Sequence, residues 1–81
     1  MSLKESFVGK IEIQLKSDQE YITLQSLLKI TDIISTGGMV KAYLAENVVL
    51  VNGEEEDRRG RKLYSGDEIK VGNKIFVIKT P

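Results

Sequence analysis

Residues 7–15 alternate, with Ile11, Ile13 and Leu15 on one side and Lys10, Glu12 and Gln14 on the other. A period of two predicts a half-buried strand. Ser17-Asp18-Gln19 then reads as a turn, and Tyr21-Ile22 enters a short helix. Thr23 suits its N-cap, because a threonine hydroxyl can accept from an otherwise unpaired amide of the first turn. Leu24, Leu27 and Leu28 fall at i, i+3 and i+4 and give that helix one apolar face. Residues 30–35 form a connector that tucks Ile33 and Ile34 into the core. A second helix begins at Thr36 with Val40, Tyr43 and Leu44 as its buried stripe, and Asn47 is the expected left-handed residue at its end. Two helices joined by a short turn make a helical hairpin.

The remainder reads as β structure. Residues 48–51 form a strand, and Asn52-Gly53 predicts a tight hairpin, since both central residues of a type I′ turn need positive φ. Residues 54–57 return and fray into a loop. After Leu63 and a turn at Ser65-Gly66-Asp67, strands are expected over 68–71 and 74–79, joined through Gly72-Asn73. The single proline is Pro81, so no strand is interrupted. The expected fold class is therefore α+β, a short helical hairpin on a small, mostly antiparallel twisted sheet.

Composition narrows the chemistry. Eighty-one residues make one small domain, which buries only about 60–65% of the surface its unfolded chain exposes. Twelve basic and twelve acidic residues cancel, so any hold on a polyanion must come from a local patch. Without cysteine or histidine the chain has no disulfide, no thiolate, no imidazole base and none of the usual zinc ligands. No apolar run approaches the ~18–20 residues of a membrane span, and the N-terminal residues lack a signal-peptide core, so a cytoplasmic protein without membrane contact is expected. Glu54-Glu55-Glu56-Asp57 lacks the ligand alternation and turn glycine of a calcium loop. So small a core leaves little room for the cleft that carboxylate-driven hydrolysis needs. No enzyme activity, cofactor or metal is expected.

In order and spacing, the segment over 22–71 resembles the S-four RNA-binding domain, named after ribosomal small-subunit protein four. The family's second helix reads Ser-Arg-x-x-Ala-Arg-x-Leu-Ile, followed by Gly-x-Val-x-Val-Asn-Gly and later Val-x-x-Gly-Asp-x-Ile. Thr36 takes the serine place, Val40 the alanine place, Lys41 the second arginine place and Tyr43-Leu44 the apolar pair. Val49, Val51, Asn52, Gly53, Gly66, Asp67 and Ile69 match directly, and Leu63 stands in for valine. The chain departs from the pattern at Thr23-Leu24-Gln25, where Arg-Leu-Asp is usual, at Gly37 in place of the first arginine, and at Asn47 in place of glycine. Two RNA contacts of the wider family are thus absent. The Thr-Gly-Gly start and basic loop are similar to compact, stand-alone bacterial members. The resemblance implies the alpha-L type of RNA-binding motif, with 1–20 as an N-terminal strand extension, 22–71 as the RNA-binding core and 72–81 as a C-terminal strand. It also implies ribosomal or transfer RNA as partner.

Two elements could carry that chemistry. At Thr36-Gly37-Gly38 the unpaired amides of a helix start suit an anion, and glycine lets a phosphate oxygen approach the backbone. Arg58, Arg59, Arg61 and Lys62 put four positive charges within five residues, and arginine's planar fork matches phosphate oxygens. Side chains alternate between faces in a strand, so the acidic run 54–57 need not lie beside those arginines. Lys29 and Lys41 extend the patch if the helices present their open faces together. Tyr43 belongs to the apolar stripe, Tyr64 could stack on a base, and a stacking platform on the strands is not expected, which predicts recognition of structured RNA by shape and backbone. The competing expectation is a small protein-interaction adaptor whose basic loop docks an acidic partner.

Overall fold

Among the described residues, five strands form one sheet and two more form a separate ribbon. The computed structural model describes residues 10–81. The elements are β1 (Lys10–Gln14), β2 (Tyr21–Thr23), α1 (Leu24–Ile30), a 3₁₀ turn (Gly37–Met39), α2 (Val40–Glu46), β3 (Val49–Val51), β4 (Glu54–Glu55), β5 (Lys62–Tyr64), β6 (Glu68–Val71) and β7 (Lys74–Lys79). The sheet runs in the order β1-β7-β6-β3-β4 and the ribbon pairs β2 with β5; every pairing is antiparallel except β1 with β7, where Lys10 to Gln14 run beside Ile75 to Lys79 in the same direction. Two helices with a mostly antiparallel sheet give the expected α+β class.

The apolar pattern does what its periodicity demands. Leu24, Leu27 and Leu28 of α1 and Val40 of α2 are fully buried, Leu44 of α2 is nearly so, and they join Val49, Val51, Leu63, Ile69, Phe76 and Ile78 in one core. Burying one such side chain contributes about 1.5–3 kcal/mol. Along β1 and into the residue after it, burial deepens from Ile11, exposed, through Ile13, partly covered, to Leu15, buried, so only the far end of that face reaches the core. The first three residues of the predicted 7–15 strand lie outside the described residues.

Helix ends are set by local hydrogen bonds. The Ser26 amide donates to Thr23 Oγ1 at 3.2 Å, which is the N-cap expected of Thr23. Tyr21 and Ile22, expected to enter the helix, instead form β2 opposite Tyr64 and Leu63. At the other end of α1, Asp32 adopts φ 63°, and the chain reverses so that the Ile33 and Ile34 amides both donate to the Leu28 carbonyl. Ile34 is buried by that reversal. Asn47 was the expected left-handed stop of α2. It is extended at φ −130° and ψ 141°, because the chain passes straight into β3. Its side chain still serves the helix end, donating from Nδ2 to the Tyr43 carbonyl at 3.0 Å.

Asn52 and Gly53 have φ of 52° and 87°, the two positive values of a type I′ turn. Asn52 also reaches across to the later turn. Its Nδ2 donates to Asp67 Oδ1 at 3.1 Å and its Oδ1 accepts from the Glu68 amide at 3.0 Å. Asp67 in turn accepts from the Tyr64 amide at 2.8 Å. Two turns fifteen residues apart thereby hold β3, β5 and β6 together.

Candidate nucleic-acid interface

The arginine loop is anchored from two directions. At its root the Glu56 amide donates to the Val49 carbonyl at 2.8 Å, which keeps this residue beside β3 and its side chain buried. Its carboxylate accepts from the Arg58 amide at 3.0 Å, Arg58 Nε at 2.9 Å, Arg58 Nη2 at 3.1 Å and Arg61 Nη1 at 2.6 Å. The Arg58 hydrogen bonds are the largest influence on this carboxyl and, with Arg61, outweigh its burial, holding its pKa down to about 2. The same bonds push the Arg58 guanidinium further toward its charged form.

The second anchor is α1. Its first amides have no acceptor within the helix. They are satisfied by the loop: the Leu24 amide donates to the Arg61 carbonyl at 2.9 Å and the Gln25 amide to the Arg59 carbonyl at 3.0 Å. The loop backbone is therefore the cap of a helix, and its cations cannot drift far from that end.

Gln25 carries the connection onward to the glycine turn. A Cβ placed on Gly37 would come within 3.0 Å of Gln25 Nε2, so the two segments touch there and the missing side chain makes room. Gly38 differs, since a Cβ there would meet only Thr36 Oγ1 at an ordinary 3.8 Å. Thr36 is extended and makes no side-chain cap bond to the 3₁₀ turn that follows. Lys41 and Arg59 line one shallow depression of about 410 Å³ with Leu44, Ala45 and Asp57. Lys41, Arg59 and Asp57 together leave one excess positive charge in it.

The expected site residues thus separate into groups. Lys41 and Arg59 share one depression on α2, while Gln25 touches Gly37 with its side chain and the Arg59 carbonyl with its amide. Arg58 and Arg61 are exposed and partly exposed, but share one carboxylate that the strand alternation was expected to turn away. Lys62 stands on β5 with its Nζ 5.0 Å from the centre of the Tyr21 ring. Lys29 is exposed and four residues after Gln25, hence on the same side of α1 one turn further along.

Three contributors were not visible as such in the sequence. Gln25 occupied a family position only as a lost acid, and Glu56 was one of four acidic neighbours with nothing to single it out. Tyr21 was expected at a helix start. Its ring instead sits 5.6 Å from that of Tyr64 across the ribbon, so the strands do carry paired aromatics. Tyr43 packs against the core, as its place in the stripe required. Among the described residues no group of three acidic side chains could hold a metal ion, and no helix is long and apolar enough to cross a membrane.

Comparison with known proteins adds two findings. A family model described as the S4 domain matches residues 13–79. A protein of Bacillus subtilis (strain 168) named as a probable ribosome maturation protein, RlbA, is 54% identical over 54 residues, covering 67% of this chain and 76% of that protein.

Proposed function

The chain belongs to the S4 domain family, and from that premise we propose that it is a non-enzymatic module that binds structured RNA in the cytoplasm during ribosome maturation. Ribosomal RNA is favoured over transfer RNA, because the similar protein from Bacillus subtilis is named for ribosome maturation. Phosphates are held by Lys41, Arg58, Arg59, Arg61 and Lys62 and by the backbone at Thr36, Gly37 and Gly38, with Lys29 at the edge. Residues 22–71 supply this surface, and β1 and β7 complete the five-stranded sheet.

The observation that carries the reading is the meeting of Lys41 and Arg59 in one depression, with Gln25 linking the arginine loop to Gly37. These residues lie far apart in the chain and share a surface only through the fold. The Glu56 anchor does not cancel the loop, since one carboxylate faces two guanidiniums and Arg58 keeps most of its side chain in solvent. A fixed arginine loses less freedom on meeting a phosphate than a loose one.

The test is binding to structured ribosomal RNA over a range of salt. Each neutralised phosphate contributes roughly 0.7–0.9 to the slope of log affinity against log salt. Arg59→Gln with Lys41→Gln should lower that slope by about 1.5 while leaving the unfolding midpoint in place, because neither side chain has an ion-pair partner among the described residues. No association of the unaltered protein at ~50 mM salt refutes the reading.

A further inference from the structure

We propose that the outer face of the β2–β5 ribbon holds an unpaired nucleobase of the bound RNA, stacked on Tyr64, with the adjoining phosphates on Arg58, Arg61 and Lys62. This rests on the RNA-binding reading above and adds the kind of nucleotide that the surface takes.

The ribbon's alternation fixes which side chains face outward. Ile22 and Leu63 are paired and buried, so their neighbours Tyr21, Tyr64, Thr23 and Lys62 must point the other way. Tyr21 and Tyr64 stand directly opposite each other, with ring planes inclined at 51°. Lys62 Nζ lies against the Tyr21 ring, which leaves Tyr64, 46% exposed, as the more open ring of the pair. Its backbone is not loose: the Tyr64 amide is held by Asp67 Oδ2 and its carbonyl accepts from the Asp67 amide at 3.0 Å.

The charged side chains that share a depression with that ring are all basic. Tyr64 lines a shallow depression of about 440 Å³ with Arg58, Gly60, Arg61 and Lys62. Arg58 and Arg61 are preset there by Glu56, which is buried beneath them. A planar aromatic face bordered by guanidinium and ammonium groups complements a flat base joined to phosphate. Stacking needs the base out of its helix, because a paired base has both faces covered by its neighbours. An acidic peptide would satisfy the cations but leave the ring without a partner of its own shape.

The experiment uses a hairpin RNA with a fully paired stem and the same stem with one unpaired 2-aminopurine. The unaltered protein should bind the second more tightly and quench its fluorescence. Tyr64→Phe keeps the ring and should do the same. Tyr64→Leu should lose about 5- to 100-fold on the RNA with the unpaired base and stay unchanged on the paired stem. Equal binding of both RNAs by the unaltered protein, or no quenching by it and Tyr64→Phe, overturns this inference and leaves the RNA-binding reading intact. Failure to bind either RNA at ~50 mM salt overturns both. The quenching result decides the matter even if Tyr64→Leu does not fold.

Discussion

Replacing Glu56 by glutamine should cost this small domain a large part of its stability, in a way that pH can switch off. The side chain is 6% exposed and accepts four hydrogen bonds, three from Arg58 and one from Arg61. Its pKa falls from an ordinary 4.5 to about 2 on folding. At about 1.36 kcal/mol per unit, that difference corresponds to about 3.4 kcal/mol of stability at neutral pH. Arg58 is 72% exposed, so water screens part of it and about 2 kcal/mol is the expected effect. Because the folded pKa is the lower one, this stability is fully present above pH 4.5 and is lost as the pH falls through 2.

Urea unfolding of the Glu56→Gln and unaltered proteins at pH 7, 5 and 3 measures the difference directly. Other carboxylates titrate in both proteins and cancel. The gap should be full at pH 7, nearly full at pH 5 and less than half as large at pH 3. A gap that is the same at every pH would mean that shape or packing, and not the ionised carboxylate, holds the loop. No gap at pH 7 would remove the anchor altogether.

Two further outcomes follow from the turns. Gly38→Ala meets only Thr36 Oγ1, at an ordinary 3.8 Å, and gains helix propensity, so it should leave stability unchanged or raise it by up to about 1 kcal/mol, while weakening RNA binding where a phosphate approaches that backbone; unchanged affinity in filter binding removes Gly38 from the interface. Asn52→Ala and Asp67→Ala should each destabilise by about 1–2 kcal/mol, and their double variant by less than the sum, since they share a hydrogen bond; strict additivity in urea unfolding would mean that the two turns act separately.

Those turns also mark how far the sequence could be read. Asn52-Gly53 and the leucines of α1 announce themselves because one backbone geometry or one period leaves few alternatives. The double positive φ and the buried stripe duly appear. β2 does not, because three residues are too few to display a period and an N-cap directly after them favours a helix. Asn47 looked like a helix stop by type, yet the strand that follows dictated its backbone. The candidate site was legible as residue types, a glycine turn and a run of arginines. Its geometry was not, because Gln25, Glu56 and Tyr21 acquire their roles only from partners far along the chain or across a ribbon.

The parallel pairing of β1 with β7 sets a schedule for the newly made chain. Lys10 finds its neighbour at Ile75, so this edge of the sheet stays unmatched until sixty-odd more residues have emerged from the translating machinery. Contacts that span so much chain form late. The hairpins can assemble during synthesis, but the strand that opens the described sheet waits for its final one.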